Sequence, residues 1–348
     1  MGIPALQIQC AGHGLGNATR ILAIIEELRA LEPSPDRLRI EVATWGKALT
    51  WLGERHESLG FGLTPLEPFG PSPAGIPAWL RNCRKVAALA DRIRPGAVLL
   101  DSDLHFAPLR RRGIPLLCLG QAHEVLRRAR AFGLIPRGLA EWKSLLVFEA
   151  LDAWIQRRIA RKVFVPCAHP RLFHATPRLR PVPLIARQTF VMTPTTPAPR
   201  SAPVGMLLSG SGIESKRLTS WAESRGIRVI PSSLGADGRP AIDAFRAVII
   251  QGGLSSISEC IARKRPMIVV PIPGHFEQRV NAYEVELQGL GGYRCENLER
   301  DGDAQLDRLK VSSFLFELPD PEAEAELPRV EGARIVAEEL FKCLKEYP

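Results

Sequence analysis

The stretch Gln251-Gly252-Gly253-Leu254-Ser255-Ser256-Ile257-Ser258-Glu259, followed by Pro266, Pro271 and Glu277-Gln278-Arg279-Val280-Asn281-Ala282, decides how this chain folds. It reads as a strand end, a double-glycine turn, a helix, a second strand over 267–270, and a loop with an acid beside an amide. Amides at a helix start, together with the helix dipole, offset diphosphate charge without a metal. Glu259 lies about one turn after Ser256. Its carboxylate either accepts ribose hydroxyls or closes a capping box, since Ser-x-x-Glu is that pattern. Glu277 and Gln278 offer hydrogen bonds to the hydroxyls of a sugar, or Glu277 is a first-turn acid favoured by the dipole. Asn281 is a further polar contact or a helix-face residue.

Outward from this block, apolar strands alternate with amphipathic helices, the pattern of a parallel sheet wound by helices. Strands are expected at 5–10, 38–44, 97–100, 115–119 and 162–165, with helices over 19–30, 79–93 and 139–159. Residues 193–203 hold Pro194, Pro197, Pro199 and Pro203 and read as an extended linker. A second series follows, with strands at 204–208, 229–230, 248–250 and 267–270 and helices over 214–224 and 332–344. The expected class is α/β, with two doubly wound, Rossmann-like domains facing a cleft. The first covers 1–192 and the second 204–330, and 331–348 forms a closing helix.

The first strand runs into Ala11-Gly12-His13-Gly14-Leu15-Gly16-Asn17-Ala18-Thr19-Arg20. Gly12, Gly14 and Gly16 let a backbone turn tightly against an anion at a helix N-terminus. A dinucleotide fingerprint needs glycine where Asn17 stands, which argues against a dehydrogenase. His13 takes a proton from a substrate hydroxyl, or is a turn histidine bonded to backbone or orienting a helix. Arg20 is an anion contact or an ordinary helix-surface charge. Asp101 and Asp103 follow another strand, at the carboxyl edge where open α/β sheets bind ligands; they orient or deprotonate an acceptor or position His13, or they cap a helix and form a turn. Gln121 and His123 follow the next strand. In the second half, Ser209 and Gly210 open a Ser-Gly loop, a further place for backbone amides to meet phosphate.

The 348 residues are 45% hydrophobic and 24% charged, ordinary for a globular protein. No apolar run reaches the roughly 18 to 20 residues that span a bilayer, and the N-terminus lacks the pattern of a secretory signal. Seven scattered cysteines without CxxC spacing speak against a zinc site or disulfide framework and fit a reducing cytoplasm. Residues 1–190 hold 27 Lys and Arg against 15 Asp and Glu, a net +12, and the remainder nets −3. Basic clusters stand at Arg110–Arg112, Arg127–Arg130 and Arg157–Lys162. They imply that the first half meets an anionic surface or substrate, or they are solvated helix faces. Nucleic acid is disfavoured, since only 6% of residues are aromatic and no reader motif appears.

Taken together these stretches resemble glycosyltransferase family 28 and its GT-B relatives, including the lipid II-forming N-acetylglucosaminyltransferase and small uncharacterised prokaryotic proteins. Gly252, Gly253, Ser255, Ser258, Glu259, Pro266, Pro271, Glu277, Gln278, Asn281 and Ala282 match the donor motif of that group. Gly12–Arg20, Val98–Asp103 and Gln121–His123 look like further pieces of it. The resemblance implies an inverting, metal-independent transfer of a sugar from a UDP-type donor, with no cofactor. Glu259 would hold the ribose, Ser255 and Ser256 the diphosphate, and Glu277 and Gln278 the sugar. The first domain would hold an acceptor that is lipid-linked or anionic, in a cytoplasmic protein at the inner face of a membrane. Two positions depart from the pattern: Gln251 replaces the histidine before the double glycine, and Asn17 replaces the N-terminal histidine. A UDP-N-acetylhexosamine epimerase of the same architecture and a non-catalytic sugar-nucleotide-fold scaffold are the alternatives.

Overall fold

Strands buried on both faces read as near-continuous apolar runs, and such strands pair in parallel with helices covering each face. Ala5–Cys10 and Ala247–Ile250, each buried throughout, are the clearest cases. A computed structural model describes residues 3–12, 14–69, 73–103, 105–192, 198–199, 201–208, 213–231, 240–311 and 329–346. His13, Ser209 and Gly210 lie outside the described residues, as do 193–197 and 200 of the Pro-rich stretch.

In chain order the elements are β1 (Ala5–Cys10), α1 (Leu15–Leu31), β2 (Arg39–Thr44), α2 (Gly46–Gly53), β3 (Gly62–Pro65), α3 (Ile76–Ile93), β4 (Ala97–Asp101), α4 (Ala107–Arg111), β5 (Leu116–Leu119), α5 (Ala122–Ala131), α6 (Leu139–Lys143), α7 (Leu151–Ile159), β6 (Lys162–Pro166), β7 (Leu179–Val182) and α8 (Gln188–Met192). There follow β8 (Val204–Leu207), α9 (Ile213–Glu223), β9 (Arg228–Ile230), β10 (Ala247–Ile250), α10 (Leu254–Ala262), β11 (Met267–Val269), α11 (Phe276–Leu287), β12 (Gly292–Arg294), α12 (Leu298–Val311) and α13 (Gly332–Glu346). Ser144–Ala150 is a π-helical stretch, so the single helix expected over 139–159 carries an internal widening.

The chain forms two compact units. Unit 1 is Met1–Gln121, Asp152–Arg187 and Glu331–Pro348; unit 2 is Ala122–Leu151 and Gln188–Val330. Unit 1 holds a seven-stranded sheet in the order β3-β2-β1-β4-β5-β6-β7, and unit 2 a five-stranded one in the order β12-β11-β10-β8-β9. The pairings between these strands are all parallel, which bears out the α/β reading, and an isolated bridge between Ile185 and Glu331 is antiparallel. Strands β3, β7 and β12 leave no clear hydrophobic pattern in the sequence because they are short edge strands of mixed polarity. Pro65 and Pro181 are tolerated there because an edge need not donate every ladder bond.

In unit 1, α1 and α13 bury one face of the sheet. Ile21, Ile25 and Leu28 share a core with Val336, Leu340 and Leu344 over Leu6, Ile8 and Leu99. Glu339 fastens α13 to the far strands, accepting from Lys162 at 2.6 Å and pairing with Arg180. The opposite face packs Val86, Leu89, Ala90 and Ile93 of α3.

In unit 2, residues 122–151 pack against α11. Val125 and Ala129 meet Phe276 and Val280 in a small apolar cluster. Buried charges join them. The Arg279 guanidinium donates to the Ile135 carbonyl at 2.7 Å and to Glu141 at 2.8 Å, and Glu141 also accepts from the Arg137 amide at 2.6 Å. Arg128 bridges Glu124 and Glu284. Removing one partner of such a pair strands the other charge in a dry site. Arg279→Ala is therefore expected to cost about 3–5 kcal/mol, read as a lowered urea midpoint.

Candidate functional site

Open parallel sheets bind ligands beyond the carboxyl ends of their strands, where the strand order reverses. In unit 2 that point lies between β8 and β10, and the double-glycine turn follows β10 directly. Helix α10 starts at Leu254 with Gly253 as its N-cap and no side-chain cap. Ser256 is thus inside the first turn, and Glu259 is buried beyond it at 4% exposure. The capping-box explanation for Glu259 fails for that reason.

The turn after β10 is bound tightly to the start of α11. A Cβ on Gly252 would sit 2.5 Å from the Gln278 carbonyl oxygen and 2.8 Å from its Cβ, so only glycine fits. The Asn281 Nδ2 donates to the Gly252 carbonyl at 2.9 Å, and both groups are buried. Asn281 therefore positions the turn. The Gln278 side-chain oxygen accepts from the Ile272 amide at 2.9 Å, and its Nε2 bonds to no described residue. Glu277 and Gln278 are partly exposed in the first turn of α11. Gln251 is buried at the end of β10. The fold thus gathers Gln251, Gly252, Gly253, Ser255, Ser256, Glu277, Gln278 and Asn281 around two helix N-termini, with Glu259 on the next turn of α10. A helix leaves its first amides without intrahelical acceptors, so both starts favour an anion.

In unit 1 the strand order reverses between β1 and β4, and the ends of these strands pair Cys10 with Asp101. The helix after β1 begins at Leu15, earlier than the sequence pattern implied. Gly14 is its N-cap, and Gly16, Asn17 and Arg20 lie on α1 instead of in the loop. Arg20 is buried, not a surface charge. It donates to Asp101 at 2.5 and 3.3 Å and to the Asn17 side chain at 3.0 Å. Gly12 lies against the Trp45 carbonyl. Burial pushes the Asp101 carboxyl up, and Arg20 pulls it back.

Ser102 takes a left-handed φ of 52°, a conformation non-glycine residues rarely adopt, and the acids on either side of it find different partners. Asp103 accepts from both the backbone amide and the Nδ1 of His105, each at 2.8 Å. The His105 ring is fully buried, 5.0 Å from Phe69 centre to centre. Asp103 is thus a buried partner of His105. Gln121 is buried at the end of unit 1, and His123, partly exposed on α5, belongs to unit 2.

One acid at this edge escaped the sequence reading. A Cβ on Gly120, just beyond β5, would sit 2.7 Å from the Gln156 Nε2, which itself donates to Asp152 at 2.8 Å. Asp152 is thereby held near Asp101 while staying partly exposed. Burial and the charge of Asp101 raise its carboxyl to about 7, against a smaller opposing effect of Arg20. A signal was present: Asp152 is the only acid between Glu149 and Glu214.

Residues 240–319 match the profile of glycosyl transferase family 1. An uncharacterized glycosyltransferase of Methanopyrus kandleri is 42% identical over 50 residues, 14% of this chain and 14% of that protein. The match thus spans only a small part of the curated relative's length. MurG of Acinetobacter baumannii superposes with a TM-score of 0.59 at 15% identity, over 97% of this chain and 99% of that one. UGT2 of Phytolacca americana, solved with UDP-2fluoro-glucose and pterostilbene, gives 0.58 at 16% identity, over 99% and 98%. The glycotransferase of kitacinnamycin gives 0.59 at 16% identity, over 98% and 99%. The matched segment is a glycosyltransferase segment, and the fold is GT-B.

Two outcomes follow from this geometry. Gly252→Ala must displace the Gln278 backbone and is expected to destabilise by about 1–3 kcal/mol in urea unfolding. Asp152 has a folded pKa above its unfolded one, so its contribution to stability is full at low pH and is lost as pH rises through about 7. Asp152→Asn should leave the melting temperature nearly unchanged at about pH 4 and raise it by several degrees at about pH 8.

Proposed function

We propose that this chain, which carries a glycosyl transferase family 1 segment on the GT-B fold, transfers a sugar from a UDP-type donor to an acceptor hydroxyl. The carrying observation is the convergence of two helix starts on the Gly252 turn, locked by Asn281. The diphosphate meets the amides at the start of α10, whose dipole offsets its charge without a metal. Glu259 accepts the ribose hydroxyls. Glu277 accepts from the sugar, and the Nε2 of Gln278 donates to it. Ser209 and Gly210 add amides to the phosphate side.

Unit 1 supplies the acceptor side. The acceptor oxygen attacks the anomeric carbon, the bond from that carbon to the diphosphate oxygen breaks, and UDP leaves, inverting the centre. The hydroxyl proton passes to Asp152. Asp101 is committed to Arg20 and Asp103 to His105, whereas Asp152 is held by a neutral amide and keeps a carboxyl near neutral pKa. His13, next in the chain after Gly12, orients the same hydroxyl. The acceptor is lipid-linked or anionic, and the protein works in the cytoplasm at a membrane surface, a reading supported by the basic charge of residues 1–190.

Calorimetry with UDP and turnover of a UDP-sugar panel test this. Glu259→Gln should weaken UDP binding by about 10-fold or more, as expected for loss of a hydrogen bond to a charged group. Asp152→Asn should slow turnover by about 100-fold or more while leaving UDP affinity intact. Unchanged affinity in the first variant removes the ribose role. Unchanged turnover in the second removes the proton acceptor.

A further inference from the structure

Two arginine clusters far apart in sequence meet on unit 1. Arg110 on α4 and Arg158 on α7 line one groove of about 310 Å³, together with Phe106, Trp154, Ile155 and Ile159. Phe106 and Ile159 pack on the core beneath, so the floor is apolar and anchored. Trp154 is 54% exposed, and the Arg158 guanidinium lies 5.1 Å from its ring centre.

Charge sets this groove apart from an ordinary solvated helix face. Arg112 pairs with Asp91, Arg161 with Glu346 and Lys162 with Glu339. Arg110, Arg111, Arg157 and Arg158 have no carboxylate partner among the described residues. These four uncompensated guanidiniums thus come from the two helices that form the groove. A guanidinium binds phosphate through paired hydrogen bonds, and an indole settles at the boundary between acyl chains and headgroups. The apolar floor suits lipid chains, and Trp154 is the one exposed ring of the groove lining, which gives successive bases little to stack on and disfavours nucleic acid.

We propose that this groove docks unit 1 on an anionic phospholipid bilayer, with Arg110 and Arg158 on lipid phosphates and Trp154 among the headgroups. Arg111 and Arg157 add to the field that draws the protein to the surface. Docking here rests on the reading of a membrane-side acceptor, and UDP binding is measured in parallel so that the two can fail separately.

The test is cosedimentation of the full chain with phosphatidylcholine vesicles, with and without phosphatidylglycerol. Wild type should sediment with the anionic vesicles, and added salt should release it. Arg110→Gln with Arg158→Gln should weaken binding about 25-fold, at roughly fivefold per lost charge. Trp154→Ala should weaken it as well, while Arg37→Gln, an exposed arginine of the same unit, should not reach the double variant's loss. Matching melting temperatures and UDP affinities show that the variants are folded. Failure of wild type to sediment overturns the proposal, as does wild-type binding by the double variant. Equal loss in Arg37→Gln also overturns it, because the effect is then net charge alone. So does binding to a DNA oligonucleotide but not to vesicles.

Discussion

Parallel pairing is the constraint on which both units rest. Each strand of a parallel sheet must be reached by a crossover, and the crossovers cover both faces with helices. Polar side chains that are to meet solvent or ligand are therefore driven to the strand ends. At the reversal of strand order the crossovers leave in opposite directions, and the edge stays open. Unit 1 places Gly12 and Asp101 at that point, and unit 2 places the Gly252 turn there. The candidate sites are located by topology before any side chain is considered.

Arginine does two different jobs around this frame. Where it is buried it is paired: Arg20 with Asp101, Arg279 with Glu141, Arg128 with Glu124 and Glu284. Removing a guanidinium from water is tolerable only with a carboxylate or carbonyl close by, and such pairs orient elements more than they stabilise them. On the groove of unit 1 the guanidiniums stay solvated and need no partner. Adjacent arginines of one sequence cluster also differ at the surface: Arg112 is exposed yet pairs with Asp91, whereas Arg111 has no carboxylate partner among the described residues.

Much of the candidate site was legible in residues 251–282, because glycines, a helix start and an acid–amide pair at fixed spacing leave a local trace. The role of each residue was less so. Ser256 and Glu259 have the spacing of a capping box, and only the observed start of α10 at Leu254 removes that explanation. Asn281 reads as a polar contact or a helix-face residue, and the structure adds that its amide holds the Gly252 carbonyl. Arg20 reads as an anion contact or a helix-surface charge, and its partner Asp101 comes from a strand 81 residues away. Asp152 left a weaker trace, since a lone acid among arginines means little until Gly120 and Gln156 fix its position.

The sequence by itself determined the α/β class, the central strands, the principal helices and the glycine turn after β10. Hydrophobic period and glycine chemistry act over a few residues and need no distant partner. Tertiary structure decided the rest. It set the edge strands β3, β7 and β12, the packing of 122–151 against α11, and the commitment of Asp101 and Asp103 to separate partners. It also joined two arginine clusters on one groove. Each depends on groups brought together from distant parts of the chain, where burial fixes the cost of leaving a charge unpaired. Local spacing carries no record of that cost.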